Sequence, residues 1–495
     1  MVVWCLNEHD RLARSQRRPL FFHLQQLSNM QDNPNVKYMR TSSMIERFFQ
    51  LNERGTTIRT EILGGATTFA AMAYIIVVNP AILQFAGLPV GPSTVATILT
   101  AVVGSILMGI VANRPLAVAP YMGENAFIAF GLTALGIGWQ LRLGAVFVSG
   151  AAFLLITLLH IRSWLADAIS PSMKHSFAVG IGLFLAFLGL YQTGIVTSFV
   201  DGMPVPASSV LAKPDVPVKL GNFRDPHVLL AVFGFGLTAA LLCLRVKGAL
   251  LLGIIATAAV GYATGYGQAP QAIVAMPFVG DYDLSPIAFQ LDILGVLRLG
   301  FLPVLLTLFL ISFLDTLGTL VGVGAAGDML DEHGNFPQIE RPMFVDAISC
   351  IFSALVGSST SGAYIESAVG VREGARTGLA ACTTGLLFAV MLFFIPLVQP
   401  LQHLAYAYGP ALIAVGAMML SAVAKIDFDD PTETIPAFLT IIMIVFTYSI
   451  ANGLTAGLIV YPLLKLLSGR GRQLHPGSYV LGLACLIYYV FGLPH

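Results

Sequence analysis

From about residue 60 to residue 492 the chain alternates between long apolar runs and short polar loops. A helix needs about 17–25 apolar residues to cross a bilayer, and fifteen runs approach that length, two of them interrupted. The uninterrupted runs lie near 63–84, 94–113, 142–160, 174–193, 226–244, 247–266, 297–323, 343–357, 376–399, 408–424, 433–450, 453–468 and 476–492, and the interrupted ones near 117–137 and 358–373. The pattern predicts an all-α polytopic membrane protein.

Basic residues in short loops indicate orientation, because such loops stay preferentially in the cytoplasm. With the N-terminus inside and alternating spans, the basic loop residues fall on the cytoplasmic side; they are Arg114, Arg162, Lys174, Arg245, Lys247, Lys425, Lys465, Arg470 and Arg472. Arg142 is the exception. The run 476–492 would carry the C-terminus outward, so we expect it to lie in the interface or to pack on the bundle. Fourteen spans then remain.

The N-terminal segment 1–60 is rich in arginine and has no apolar stretch of signal-peptide type, so we expect it to be cytoplasmic. Its first 43 or so residues differ in character from the rest of the chain. They are either disordered or not native, and a shorter chain starting at Met39 or Met44 stays open.

The third predicted span of each half is the interrupted one. The first break lies at Pro120 and Gly123, and the second at Gly357 and Gly362. Seven spans per half make the halves antiparallel, as in the inverted repeats of secondary transporters. The predicted organisation begins with a cytoplasmic segment (1–60) and a first repeat of spans 1–7 (61–266). An extracellular linker (267–293) leads to a second repeat of spans 8–14 (294–469). A C-terminal cytoplasmic or interfacial segment (470–495) follows.

Breaks at matched positions predict a cavity near the middle of the membrane. Proline cannot donate to a helix, and irregular backbone at membrane depth survives only against protein or water. Exposed N–H groups at half-helix N-termini would then face the cavity. The simpler interpretation is that Pro and Gly are merely common in membrane helices.

Two acids, Asp315 and Glu366, lie inside apolar runs. A carboxylate at mid-membrane costs about 2.5–3.5 kcal/mol on insertion scales, so its default interpretation is functional. Burial also disfavours its charged form and favours proton exchange. A purely structural role for Asp315, bonded to hydroxyl or backbone groups, stays open, as does neutralisation of Glu366 by Arg372 or Arg376.

The polar residues of the two breaks complete the set of candidate substrate ligands: Asn125, Glu124, Ser359 and Thr360. Glu124 stands at the mouth of the first break, where it either caps the half-helix after the break or binds a ligand.

Composition narrows the possibilities further. Hydrophobic residues make up 56% of the chain and charged residues 11%, against roughly 25% charged in soluble domains. Lys+Arg and Asp+Glu both number 26, so nothing favours nucleic acid. The five cysteines show no metal-binding or disulfide spacing. No nucleophile elbow or phosphate loop is present, so we expect neither an enzyme nor a bound metal or cofactor.

Several segments resemble, in order, the AzgA-like purine permeases of the nucleobase-ascorbate transporter superfamily. These segments are Gly64–Pro80 (GGATTFAAMAYIIVVNP), Met122–Phe127 (MGENAF), Asp315–Leu320 (DTLGTL), Tyr364–Gly378 (YIESAVGVREGARTG), Lys425–Asp430 (KIDFDD), Ile435–Met443 and Thr447–Gly453.

The resemblance implies a seven-plus-seven inverted repeat, with a core of spans 1–4 and 8–11 and a gate of spans 5–7 and 12–14. It further implies proton-coupled uptake of adenine, guanine or hypoxanthine across the cell membrane, by a homodimer in the lipid. Its substrate contacts correspond here to Asp315, Glu366 and Asn125. Many relatives carry a second acid where this chain has Ser312, and often an apolar residue where it has Glu124, which leaves base preference and proton number open.

We therefore expect a proton symporter in which Asp315 and Glu366 bind both the proton and the base. The alternatives are a uracil- or xanthine-type carrier and an uncoupled facilitator or anion channel of the same fold. Acids at the site speak against anions, because they would repel them unless protonated.

Overall fold

The computed structural model of the chain describes residues 44–134, 136–159, 168–199, 218–298, 301–327, 329–330 and 336–491. The predictions for the first 43 residues, including the alternative start at Met39, lie outside these residues. The chain divides into two compact units after Ile58. In the first unit the described residues form one short helix, α1 (Met44–Phe48), followed by turns.

The second unit is mostly helical. Its helices up to the middle of the chain are α2 (Ile58–Met72), α3 (Ile75–Leu83), α4 (Val90–Leu107), α5 (Met122–Ala126), α6 (Leu132–Ala134), α7 (Trp139–Leu158), α8 (Pro171–Gln192), α9 (Pro226–Cys243) and α10 (Ala249–Ala263). The later helices are α11 (Ile293–Val296), α12 (Leu302–Ala326), α13 (Glu340–Val356), α14 (Ser367–Arg372), α15 (Gly378–Met391), α16 (Ile395–Val398), α17 (Ala405–Met419), α18 (Pro431–Phe446), α19 (Ile450–Leu467) and α20 (Pro476–Phe491).

Four short strands correct the expectation of an all-α chain. They are β1 (Val118–Pro120), β2 (Val196–Ser198), β3 (Val218–Leu220) and β4 (Ser361–Ala363), and they form the antiparallel pairs β1–β4 and β2–β3. β1 and β4 lie in the two interrupted segments, which were expected to be irregular. Pairing two extended segments satisfies backbone groups that irregular chain would leave without partners inside a bilayer.

Each predicted apolar run corresponds to one or more of these elements, but the number of membrane spans is not fixed by them. Among the described residues, eight helices are long and apolar enough to cross a bilayer, and nine spans result if the pair Gly378–Met391 and Ile395–His403, bent by 82°, counts as one. Ala249–Ala263, Pro431–Phe446 and Pro476–Leu486 are apolar but shorter. The count of fourteen stays a prediction.

Capping residues explain where several helices begin. Ser170, Asp225 and Asp430 precede α8, α9 and α18, and each accepts a hydrogen bond from a backbone N–H two or three residues later. A proline follows each cap, at the position where a missing N–H costs nothing.

A cluster of charges joins the ends of α18 and α19. The ammonium group of Lys465 lies 3.3 Å from Asp430 and 2.9 Å from Glu433, and Arg470 lies 2.8 Å from Asp430. Hydrogen bonds from Thr432 and Lys465 lower the pKa of the Asp430 carboxyl to about 2. A carboxyl group whose pKa is lowered by folding stabilises the folded state at pH values above its ordinary pKa, and that contribution is lost as the pH falls through about 2. The Asp430 carboxylate therefore stays charged at neutral pH.

The long helices of the second unit fall into two groups by their packing. α7 packs on α13 and α12, and α4 packs on α15 and α13. In the other group α8 packs on α17 and α18, α18 packs on α19, and α9 packs on α17 and α10. Contacts between the groups are sparse and run mainly from α12 to α19 and from α5 to α8.

Arg142, the exception in the charge pattern, is buried and has a structural role. Its guanidinium donates to the carbonyl oxygens of Ile137 at 2.7 Å and Ile128 at 3.1 Å. These carbonyls belong to the chain between the first break and α7. Arg142 therefore fastens this segment to α7, which explains why it does not follow the rule for basic loops.

Glycines on α2 allow it to lie against the backbone of the segment before and within α15. A Cβ atom at Gly65 would lie 2.4 Å from the carbonyl oxygen of Ala380 and 2.7 Å from the Cβ of Thr383. One turn earlier the buried Glu61 accepts hydrogen bonds from the backbone N–H groups of Arg376, Thr377 and Ala380, at 2.7, 3.2 and 3.2 Å. The beginning of α15 is therefore capped by a carboxylate from another helix.

We expect Gly65→Ala to destabilise the protein, because the added methyl group meets backbone that cannot move aside. Overpacking of this kind costs about 1–3 kcal/mol. Gly236→Ala on α9 is the matched control, since a Cβ there has no atom within 4 Å, and it should be neutral or slightly stabilising. Thermal unfolding of the purified variants measures the difference, and equal midpoints would contradict the packing described.

Candidate functional site

The two interrupted segments meet in the antiparallel pair β1–β4. Val118 pairs with Ala363, Ala119 with Gly362 and Pro120 with Ser361. Two further backbone bonds extend the ladder, from Tyr121 N to the oxygen of Thr360 and from Tyr364 N to the oxygen of Ala117, both 2.9 Å. Segments from the two halves of the chain are thereby joined directly.

Local sequence explains why the helices stop here. Pro120 lacks a donor and ends β1, while Gly357 ends α13 with a φ of 88°, a conformation that favours glycine. Gly362 lies against the phenol of Tyr121, where a Cβ would meet the hydroxyl oxygen at 2.1 Å. Gly123, predicted as a break, is instead inside α5. Its missing side chain leaves room for Ile181 of α8, whose Cγ2 would lie 2.4 Å from a Cβ.

The predicted pair of acids, Asp315 and Glu366, lies beside this junction. Asp315 is in the middle of α12, Glu366 directly precedes α14, and both are half-buried. The two carboxylates are close enough to interact electrostatically. One turn after Asp315, a Cβ at Gly318 would have no atom within 4 Å. Asp315 therefore borders open space.

Glu366 is held by a tyrosine rather than by an arginine. The hydroxyl of Tyr74, between α2 and α3, donates to Oε1 of Glu366 at 2.8 Å. Within the described ranges no arginine forms an ion pair with Glu366, and Arg376 donates instead to the carbonyl oxygens of Val371 and Ala375. The alternative of a static Glu366–Arg pair is therefore wrong.

Glu124 is completely buried in the first turn of α5, and its carboxylate accepts a hydrogen bond of 2.6 Å from Ser312 of α12. The residue at the cap position is Tyr121, and no side chain caps this helix end. The predicted capping role is therefore not observed, and Glu124 links α5 to α12 one turn from Asp315.

Asn125 follows Glu124 and is also buried. Its amide nitrogen donates to Oδ1 of Asn79 in α3, and its own Oδ1 has no hydrogen-bond partner among the described residues. Ser359 donates to the same Oδ1 of Asn79 at 3.4 Å. The hydroxyl of Thr360 is buried close to the carboxylate of Glu124. Asn125 and Ser359 are thus brought together through Asn79.

Asp346 is an acid that was not among the predicted site residues. It is fully buried on α13 and accepts hydrogen bonds from Thr316 of α12 and from the backbone N–H of Ala363 in β4, both 3.0 Å. Thr316 also contacts the hydroxyl of Tyr121 at 3.0 Å. The signal was present, since Asp346 falls inside the apolar run 343–357, but Glu340 and Arg341 nearby make it resemble the polar flank of a span.

Four acids thus surround the β1–β4 junction, and none of them has a basic partner among the described residues. Asp315 interacts electrostatically with Glu124, Asp346 and Glu366. The ion pairs found in the described part of the chain all lie elsewhere. Burial disfavours charge, and neighbouring acids disfavour it further. A ligand that donates hydrogen bonds would stabilise those of the carboxylates that are charged.

Metal binding has no support in the described ranges, where no group of three or more His, Cys, Asp or Glu side chains is arranged to hold an ion. The cysteines described there, Cys243, Cys350, Cys382 and Cys485, are free thiols.

Several known permeases are similar to this chain over nearly their whole length. A putative permease of Methanocaldococcus jannaschii is 41% identical over 90% of this chain and 98% of its own length. The adenine permease AdeP of Escherichia coli is 37% identical over 90% and 96%, and the guanine/hypoxanthine permease PbuG of Bacillus subtilis is 37% identical over 90% and 100%.

Solved structures share the fold. The transmembrane domain of the cyanobacterial bicarbonate transporter BicA matches with a TM-score of 0.59 at 15% identity, covering 81% of this chain and 97% of the other. SLC26A9 matches with a TM-score of 0.55 at 10% identity, covering 83% and 66%. At such identities the likeness concerns the fold alone.

A sequence model described as a permease family matches residues 59–455. This match covers most of the chain and agrees with the relatives, so the resemblance to AzgA-like permeases is confirmed. The protein is accordingly a multi-pass membrane permease and not an enzyme. The chain belongs to this permease family, within the nucleobase-ascorbate transporter superfamily.

Proposed function

We propose that the chain is a proton symporter that imports purine nucleobases such as adenine, guanine or hypoxanthine across the cytoplasmic membrane. Relatives at 36–38% identity are named adenine permeases and guanine/hypoxanthine permeases, and they align over nearly their whole length. The chemistry of the site agrees with such a substrate, since a purine edge carries N–H donors beside ring-nitrogen or carbonyl acceptors.

One observation carries the proposal. Two half-buried carboxylates, Asp315 and Glu366, lie beside the junction of both broken segments, next to open space, and neither has a basic partner in the described residues. Acceptors that lack donors suit a ligand that brings N–H groups, because charge-assisted hydrogen bonds are about twice as strong as neutral ones. Asn125 supplies a third polar group, while Ser359 and Thr360 belong to the wall behind it.

Coupling follows from charge. A site that holds ionised carboxylates resists passage across the hydrophobic barrier between two helix groups, whereas a protonated site with a base bound passes more easily. The proton and the base therefore move together. Asp315 and Glu366 carry the proton in this scheme, and no further cofactor takes part.

The two packing groups are the moving parts. We assign the group around α4, α7, α12, α13 and α15 to a core and the group around α8, α9, α10, α17, α18 and α19 to a gate, within fourteen spans arranged as two inverted repeats of seven. The N-terminus is cytoplasmic, and the protein works as a homodimer in the lipid. The sparse contacts between the groups support relative motion.

The alternatives differ in substrate or in coupling. A uracil- or xanthine-type carrier would use the same site for another base, and an uncoupled facilitator or anion channel would need no proton. The acid cluster disfavours anions, because no basic side chain pairs with it in the described residues. Counterflow that saturates with the base separates a carrier from a channel.

Uptake into membrane vesicles tests the proposal as a whole. Labelled adenine, guanine, hypoxanthine, xanthine and uracil are supplied with and without an imposed pH difference. We expect at least one purine to accumulate only when the outside is more acidic. Accumulation of no base, or of a base regardless of the pH difference, would refute the symport scheme.

Replacing Asp315 with Asn should abolish proton-driven accumulation while leaving the fold intact, because the amide keeps the shape but cannot titrate. The measurement is uptake against a concentration gradient in vesicles with an imposed pH difference. Asp429→Asn is the control, since Asp429 is exposed in the loop before α18 and should behave as the unaltered protein. Gradient-driven uptake that persists in the Asp315 variant would argue against the assigned role.

Tyr74→Phe should lower the uptake kcat/KM by about tenfold or more, since a hydrogen bond to a charged group contributes about 1.5–3 kcal/mol. Tyr479→Phe is the matched control. It also removes one tyrosine hydrogen bond, of 2.9 Å to the carbonyl oxygen of Gly471. Tyr479 lies on α20, more than 100 residues after Glu366 in the sequence. Equal kcat/KM values for the two variants, at equal amounts in the membrane, would show that the bond to Glu366 is unimportant.

A further inference from the structure

A series of buried hydrogen bonds joins three side chains, Thr97, Asn79 and Asn125. We propose that Thr97 and Asn79 are specificity-determining residues, which act through Asn125 by fixing its amide so that only its carbonyl oxygen is offered to the ligand. The inference rests on the proposed function, because it concerns how that site distinguishes one purine from another.

The series of hydrogen bonds begins at Thr97 on α4. A threonine hydroxyl has one hydrogen to donate, and Thr97 donates it to the carbonyl oxygen of Ser93 at 2.7 Å. Its oxygen can then only accept. The group that faces it, 2.8 Å away, must be the NH2 group of Asn79. Thr97 therefore determines which way the Asn79 amide points.

Asn79 passes this orientation on. With its NH2 group directed to Thr97 and to the hydroxyl of Ser358 at 3.3 Å, its Oδ1 faces the opposite way. That oxygen accepts from Ser359 at 3.4 Å and from the NH2 group of Asn125. Both donors and both acceptor positions of Asn79 are then in use, so a 180° rotation of its amide group would break hydrogen bonds.

Asn125 is left with a free acceptor. Its NH2 group is engaged with Asn79, and its Oδ1 is completely buried without a partner in the described part of the chain. A buried polar atom without a partner is costly. A ligand N–H group would remove that cost, whereas a ligand acceptor at the same place would add to it by repulsion.

Adenine and hypoxanthine are a natural pair of probes for such a site. They are nearly the same size, but the six-membered ring of adenine pairs an amino donor with a ring-nitrogen acceptor, whereas hypoxanthine pairs a carbonyl acceptor with a ring N–H donor. An Asn125 amide with one fixed orientation complements one of these patterns and opposes the other. An amide free to turn over accommodates both.

Thr97→Val should release the orientation without disturbing the packing. The valine has nearly the shape of threonine but cannot accept from Asn79. The hydroxyls of Ser358 and Ser359 can each donate or accept, so either orientation of Asn79 then satisfies its remaining contacts. Asn125 can turn over together with it.

Thr94→Val is the matched control. Thr94 lies one turn earlier on α4 and likewise donates to a backbone carbonyl, that of Val90 at 2.8 Å. Its hydroxyl accepts from Gln402 rather than from Asn79. The substitution therefore removes an equivalent buried hydroxyl outside the chain that leads to Asn125.

The experiment measures inhibition constants of adenine and of hypoxanthine against a labelled purine, using purified protein at one fixed pH. We expect the unaltered protein and Thr94→Val to prefer one base by about tenfold or more, the cost of one unpaired buried group, and Thr97→Val to bring the ratio close to one.

Three results would overturn the inference: a ratio near one in the unaltered protein, an unchanged ratio in Thr97→Val, or an equal change in Thr94→Val. If no purine binds at all, the proposed function is refuted instead, so the two failures are distinguishable.

Discussion

The requirement that every backbone N–H and C=O inside a bilayer has a partner governs this structure. Two segments leave helical geometry at membrane depth, and each would expose unpaired backbone if it stood alone. They solve the problem together, through the pairing of β1 with β4 and the flanking bonds at Tyr121 and Tyr364. Because the segments belong to opposite halves of the chain, this pairing also places the polar residues after each strand next to one another.

The charge of the acid cluster is the second constraint. It is a consequence of the first, because the β1–β4 pairing brings the acids together. The junction gathers Glu124, Asp315, Asp346 and Glu366. The described residues supply hydroxyl or backbone donors to Glu124, Asp346 and Glu366, but no cation to any of the four. Hydroxyl donors orient carboxylates without cancelling their charge. A site of this kind can change its net charge when a proton binds, which a static ion pair would prevent.

Buried amides and hydroxyls carry no charge, but they determine which way hydrogen-bond donors and acceptors point. Thr97, Asn79 and Asn125 form a sequence in which each group has one consistent donor and acceptor assignment. The series begins at a backbone carbonyl of α4 and ends at Oδ1 of Asn125, which has no partner among the described residues. In the proposed scheme, α3 and α4 therefore influence through Asn79 and Thr97 what the site recognises.

The sequence by itself determined the class of protein, the apolar runs and the two breaks, and it singled out Asp315 and Glu366 as candidates, because hydrophobic length and the cost of a membrane-embedded acid are local properties. Only the tertiary structure decided that the breaks pair as strands, that Gly123 lies inside a helix, that Glu124 bonds Ser312, and that Asp346, Tyr74 and Asn79 belong to the site. Each of these depends on a partner dozens or hundreds of residues away, and no local pattern specifies which distant hydroxyl, amide or strand a buried polar group will meet.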